Sequence, residues 1–108
     1  MINNYNKLIR DKVPAIIKKD GREPTVRKLN DNEYVIELFK KAFEEIREAE
    51  EAGGNKKELE KEIGDVYEVI DAIISYYNLD INEIKRLQEK RKKERGSFLK
   101  RVFLESVK

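Results

Sequence analysis

The 108-residue chain contains no cysteine and no histidine. Those absences exclude thiol chemistry, Cys/His zinc sites and any histidine general base. An enzyme built from this sequence must work with carboxylates, lysine, arginine or a metal ion. A ligand set made only of oxygen favours Mg²⁺, with Mn²⁺ as the alternative. Charge of one sign is missing too: 24 basic and 22 acidic residues leave a net charge of +2. A nucleic-acid binder shows a one-sided basic excess, so no nucleic-acid partner is expected. No apolar run approaches the roughly 18 residues of a membrane span, and the N-terminus has no signal-peptide apolar region. The expectation is a cytoplasmic protein with no membrane association. Internal repeats, linkers and low-complexity tracts are also lacking.

What is present is charge. Charged residues make up 43% of the chain and hydrophobic ones 39%, and the mean hydropathy is -0.79. Such a chain suffices for one domain over residues 1–108 with a modest core, and short, highly charged chains often bury further surface by oligomerising. A short helix is expected from a cap at Asp11, with Pro14 in its first turn, to about Lys19, stopping at Asp20-Gly21. Residues 24–29 alternate weakly and read as a short strand. Asn30 or Asp31 caps a long helix to about Ala52, and a second long helix runs from about Lys56 to Tyr77. Asp80 or Asn82 caps a third, from about Ile81 to Arg95, which ends at Gly96. Residues 98–104 read as another short strand, pairing with 25–29. The fold class is therefore mainly α, with short flanking β-strands.

Four acidic residues stand out: Glu45 and Glu48 in one long helix, Glu62 and Asp65 in the next. Members of each pair are three residues apart, so each pair shares one face of its helix. The turn Ala52-Gly53-Gly54-Asn55 folds the helices into an antiparallel hairpin. Centred on Asn55, it sets Glu45 level with Asp65 and Glu48 level with Glu62. At about 100° per residue, Leu38, Ala42, Ile46 and Ala49 form one apolar arc, and Leu59, Ile63, Val66, Ile70, Ile73 and Tyr77 the other. With these arcs facing, both acidic flanks emerge on one side of the hairpin. Four carboxylates at one height are costly unless a cation neutralises them. The competing reading is ordinary solvated glutamate, which a chain this charged has in plenty. A second E-x-x-D, Glu68 to Asp71, falls away from the apolar arc and reads as surface. Gly64 lowers helix propensity by about 1 kcal/mol relative to alanine; close approach of another helix or a ligand beside Asp65 would account for it.

Basic residues complement this pattern. Lys7, Arg10 and Lys12 cluster near a helix start, where phosphate binding is favourable. The third long helix is dominated by charge held in pairs such as Glu89–Lys93, but Arg91, Arg95 and Arg101 are placed to reach a phosphate. Triphosphate oxygens need both metal and cationic partners. On the apolar side of the hairpin, Phe39, Phe43, Tyr67 and Ile74 are more than one small helix can cover, so a homo-oligomer is expected.

The order Glu44-Glu45-Ile46-Arg47-Glu48, then Glu62-Ile63-Gly64-Asp65, resembles the all-α nucleoside triphosphate pyrophosphatase superfamily. That group includes MazG-like proteins, dimeric dUTPases and phosphoribosyl-ATP pyrophosphohydrolases. K-L-I-R-D-K-V-P at Lys7 to Pro14 and R-G-S-F at Arg95 to Phe98 are similar to a branch of short, single-domain, MazG-like proteins regarded as house-cleaning pyrophosphatases. The resemblance covers nearly the whole chain. It implies a four-helix arrangement completed by dimerisation, while the sequence itself leaves homodimer and homotetramer open. It also implies Mg²⁺ held by Glu45, Glu48, Glu62 and Asp65, and hydrolysis of a nucleoside triphosphate to monophosphate and pyrophosphate. No base-specificity pocket is legible.

Together these readings anticipate a Mg²⁺-dependent pyrophosphohydrolase acting on a modified or surplus nucleoside triphosphate. Glu45 is expected to position or deprotonate the attacking water, while Lys7, Arg10, Lys12, Arg95 and Arg101 hold substrate. The alternatives are a phosphoribosyl-ATP pyrophosphohydrolase, against which K-L-I-R-D-K argues mildly, and a non-catalytic helical interaction or nucleotide-sensing module.

Overall fold

Local capping chemistry sets the helix boundaries. In the computed structural model, which describes residues 2–108, the order is α1 (Val13–Lys19), α2 (Asp31–Glu51), α3 (Lys56–Tyr76) and α4 (Ile81–Arg95). Asn30 caps α2 through a complete capping box: its side chain accepts from the Glu33 backbone N–H at 2.9 Å, and Glu33 accepts from the Asn30 N–H at 3.3 Å. Arg27 grips the same Glu33 carboxylate at 3.1 and 2.7 Å, which ties the preceding segment to the helix start. Asn55 caps α3 by accepting from the Glu58 N–H at 3.0 Å, and Asp80 caps α4 through Asn82 and Glu83. Each cap satisfies amide groups that the first helical turn leaves without partners. Gly96 ends α4 with a φ of 82°, a conformation that glycine adopts without steric cost. The first helix departs from expectation: its N-cap is Lys12 rather than Asp11, and no side chain caps it.

No strand forms among the described residues. Residues 22–29 and 98–104 run as irregular chain, because a strand needs a neighbour for its ladder and none lies alongside either segment. The mainly α expectation stands, and the flanking strands are corrected to extended or turning segments.

Helices α2 and α3 are the one pair in extensive contact among the described residues. They form the antiparallel hairpin, with Tyr34 and Tyr76 packed edge to face at 5.4 Å near its open end. The buried apolar side chains are Leu38, Ala49, Val66 and Val69. Relative to expectation, the seam is rotated by about one residue. Ile46, Ile63, Ile70 and Tyr77 lie outside it and are exposed, while Val69 enters it. Glu45 and Glu62, expected on the flank, are part of the buried face.

The remainder is loosely attached. α4 buries none of its residues, and its ion pairs are Glu83–Arg86 and Lys90–Glu94 rather than Glu89–Lys93. The radius of gyration is 18.4 Å, against about 13 Å for a compact domain of this length. No described helix is long and apolar enough to cross a membrane.

Candidate metal centre

The hairpin register gathers carboxylates from both long helices. One carboxylate oxygen each from Glu45, Glu62 and Asp65 lies within 4.8 Å of the others. Glu45 belongs to a second such group with Glu44 and Glu48. Glu48 also acts across the hairpin, since its negative charge bears on both Glu45 and Glu62. The four acidic residues singled out in the sequence thus form one contiguous cluster spanning α2 and α3.

Burial distinguishes this cluster from solvated surface acid. Glu45 is 7% exposed and Glu62 8%. One oxygen of each, Oε2, is buried without a hydrogen-bond partner. A buried carboxylate oxygen left unsatisfied is destabilising, and buried charges in proteins are normally paired or bound to metal. Both carboxyls are pushed above the ordinary value of 4.5: Glu45 by burial and then by Glu48, with Lys41 opposing, and Glu62 by burial and then by Glu48. Desolvation and like charge act in the same direction here.

Nearby cations offset part of this charge. Lys41 stands 3.5 Å from Glu45 and 3.6 Å from Glu44. Arg10 donates from Nη2 to Asp65 Oδ1 at 2.7 Å, and Lys7 lies 3.8 Å from Glu44. None of these contacts reaches the orphaned Oε2 atoms. That oxygen-only donor set, with two atoms lacking partners, fits a hard divalent cation such as Mg²⁺ or Mn²⁺.

Of the basic residues expected to hold substrate, Lys7 and Arg10 are brought to the acidic side. Lys12 stands exposed as the α1 cap. Arg95 ends α4 and Arg101 lies in the C-terminal segment with a φ of 60°; neither is joined to the carboxylates by an ion pair. Glu68 and Asp71 are exposed, as read. Among the described residues, nothing lies within 4 Å of where a side chain at Gly64 would begin. Two residues were missed as members of the site, Lys41 and Glu44. The spacing of Lys41 from Glu45, one helical turn, was the available signal.

No family model matches the chain, and no solved structure matches it. An uncharacterized protein of Mycolicibacterium smegmatis (strain ATCC 700084 / mc(2)155) is 40% identical over 53 residues, which are 49% of this chain and 54% of that protein. The chain thus spans about half the length of the curated relative it matches.

Proposed function

We propose that this chain is a divalent-metal-dependent nucleoside triphosphate pyrophosphohydrolase of the MazG-like kind. It would release pyrophosphate and a nucleoside monophosphate from modified or surplus nucleotides. The observation that carries this reading is the pair of nine-tenths-buried glutamates with orphaned oxygens, set beside Asp65 across two helices. A purely structural hairpin gains nothing from placing like charges in its seam.

Glu48, Glu62 and Asp65, with Glu45, would hold Mg²⁺. When bound, the ion supplies neutralisation of phosphate charge and a lowered pKa for a water ligand. Glu45 accepts the proton of the attacking water at a carboxylate oxygen, a role consistent with burial raising its proton affinity. Lys7 and Arg10, already on the acidic side, bind and orient phosphate oxygens, and Lys12 extends that cationic edge. Arg95 and Arg101 are assigned to the substrate by their sequence positions alone, at the end of α4 and in the tail. Glu48→Gln and Glu62→Gln test the assignment: full pyrophosphate release by both variants, with helicity retained, would refute it.

We also infer a homo-oligomer, dimeric or tetrameric, with its helical bundle completed between copies. The chain exposes 10517 Å², against about 6300 Å² for a compact monomer of this mass. Ile36, Phe39, Phe43 and Ile46 on α2 and Ile63, Tyr67 and Ile70 on α3 stand exposed; Ile63 and Tyr67 border one hollow with Gly64, and Phe43 borders another with Lys7 and Glu44. The open space at Gly64 beside them is room for a neighbouring helix.

A further inference from the structure

The acidic cluster carries its own counter-ion, and we infer that Arg10 is an exchangeable placeholder. Its guanidinium neutralises Asp65 while no divalent cation is bound, and leaves Asp65 when the cation arrives, which frees it for a substrate phosphate. The inference rests on the cation-site reading above and adds what controls access to that site.

Three observations support it. The Arg10–Asp65 contact is a single hydrogen bond of 2.7 Å between side chains 59% and 31% exposed. The Arg27–Glu33 and Arg86–Glu83 pairs, by contrast, are two-point contacts. A one-point, solvent-facing ion pair is weak and readily exchanged. Next, no backbone hydrogen bond joins residues 2–10 to α2 or α3 among the described residues. The arm that carries Arg10 is held there by half-buried Leu8 and Ile9 and by the long Lys7–Glu44 pair at 3.8 Å. The Arg10 carbonyl accepts from the Val13 N–H at 3.0 Å, so the arm can shift together with α1 without breaking a backbone contact to α2 or α3. Lastly, Arg10 leaves the Oε2 atoms of Glu45 and Glu62 unsatisfied. A planar guanidinium stops at the rim of the cluster, whereas a small ion can lie among the buried oxygens. The placeholder is thus weakest where the cation is strongest, and exchange follows.

Mn²⁺ binding, followed by electron paramagnetic resonance at low salt, tests this in wild type, Arg10→Ala, Arg10→Lys and Glu62→Gln, with helicity checked for each. Arg10→Ala should bind Mn²⁺ about two- to fivefold tighter than wild type, the scale of an exposed ion pair, and the gain should shrink as salt rises. Arg10→Lys should stay close to wild type. Inorganic tripolyphosphate added with Mn²⁺ should bind Arg10→Ala more weakly than wild type. Equal or weaker Mn²⁺ binding by Arg10→Ala, with normal wild-type binding lost in Glu62→Gln, would overturn the placeholder role alone. Absence of Mn²⁺ binding by wild type would overturn the cation site and the placeholder together.

Discussion

The two long sides of the α2–α3 hairpin are both incomplete, in opposite chemical senses. On one side Glu45, Glu48, Glu62 and Asp65 concentrate negative charge that Lys41, Arg10 and Lys7 only partly offset. On the other, Phe39, Ile46, Ile63 and Tyr67 expose apolar surface. The proposed partners differ accordingly, an ion on one side and a second copy of the chain on the other. Between them lies a thin seam of Leu38, Ala49, Val66 and Val69, too small to stabilise an isolated hairpin of this length. The difference teaches that a helix pair can be specified well in register while its stability depends on what joins it.

Substitutions that affect one side and spare the other sharpen the comparison. The largest effect is expected on the acidic side: Glu48→Gln and Glu62→Gln should each lower Mg²⁺-dependent pyrophosphate release by about 100-fold or more, without changing the oligomer's mass by light scattering. On the apolar side, Ile46→Glu combined with Tyr67→Glu should reduce the particle to the 12.8 kDa of one chain and lower its melting temperature. Burying a large apolar side chain contributes about 1.5–3 kcal/mol, and two are lost per chain. A smaller effect of opposite sign follows from the buried acids. Glu62→Gln should raise the melting temperature of the metal-free protein, because it removes charge from a desolvated position.

pH acts in the same sense. The folded state binds protons at Glu45 and Glu62 more tightly than the ordinary value of 4.5. Their contribution to stability is therefore complete below 4.5 and is lost as pH rises through the raised folded values. Metal-free wild type should accordingly gain stability as pH falls from neutrality towards about 5, and Mg²⁺ should protect it less there, as calorimetry at several pH values would show. Smallest is a substitution remote from both sides: Asn30→Ala should cost about 1 kcal/mol by removing the α2 cap, leaving metal affinity and oligomer mass unchanged in chemical denaturation and light scattering.

Much of this was legible in the sequence because it depends on local chemistry or on register. Asn30 and Asp80, each one of two candidates in the sequence, and Gly96 mark helix ends by side-chain and backbone properties of their own, and Asn55, read only as a turn residue, caps α3 as well. The alignment of Glu45 with Asp65 follows from two helices and a turn of fixed length. The rotation of the seam was not legible. Leu38 and Ala49 merge with Phe39, Phe43 and Ile46 into one broad apolar sector, and nothing within α2 says which edge meets α3. The same ambiguity sent Glu45 and Glu62 inward, where their burial gives the cluster its force. Alternation at 25–29 and 98–104 misled because strand pairing is a property of two segments, and here neither finds the other. The roles of Arg95 and Arg101 were drawn from their positions at a helix end and in the tail, to which the fold of a single chain adds no ion pair with the carboxylates.

Pyrophosphate release from a panel of common and damaged nucleoside triphosphates, with Mg²⁺ and with EDTA, tests the central claim most directly. Release is expected from at least one member, accompanied by the monophosphate, dependent on Mg²⁺ and lost in Glu62→Gln. No release from any member, in a protein whose melting temperature Mg²⁺ leaves unchanged, would contradict it and leave the hairpin a helical interaction module.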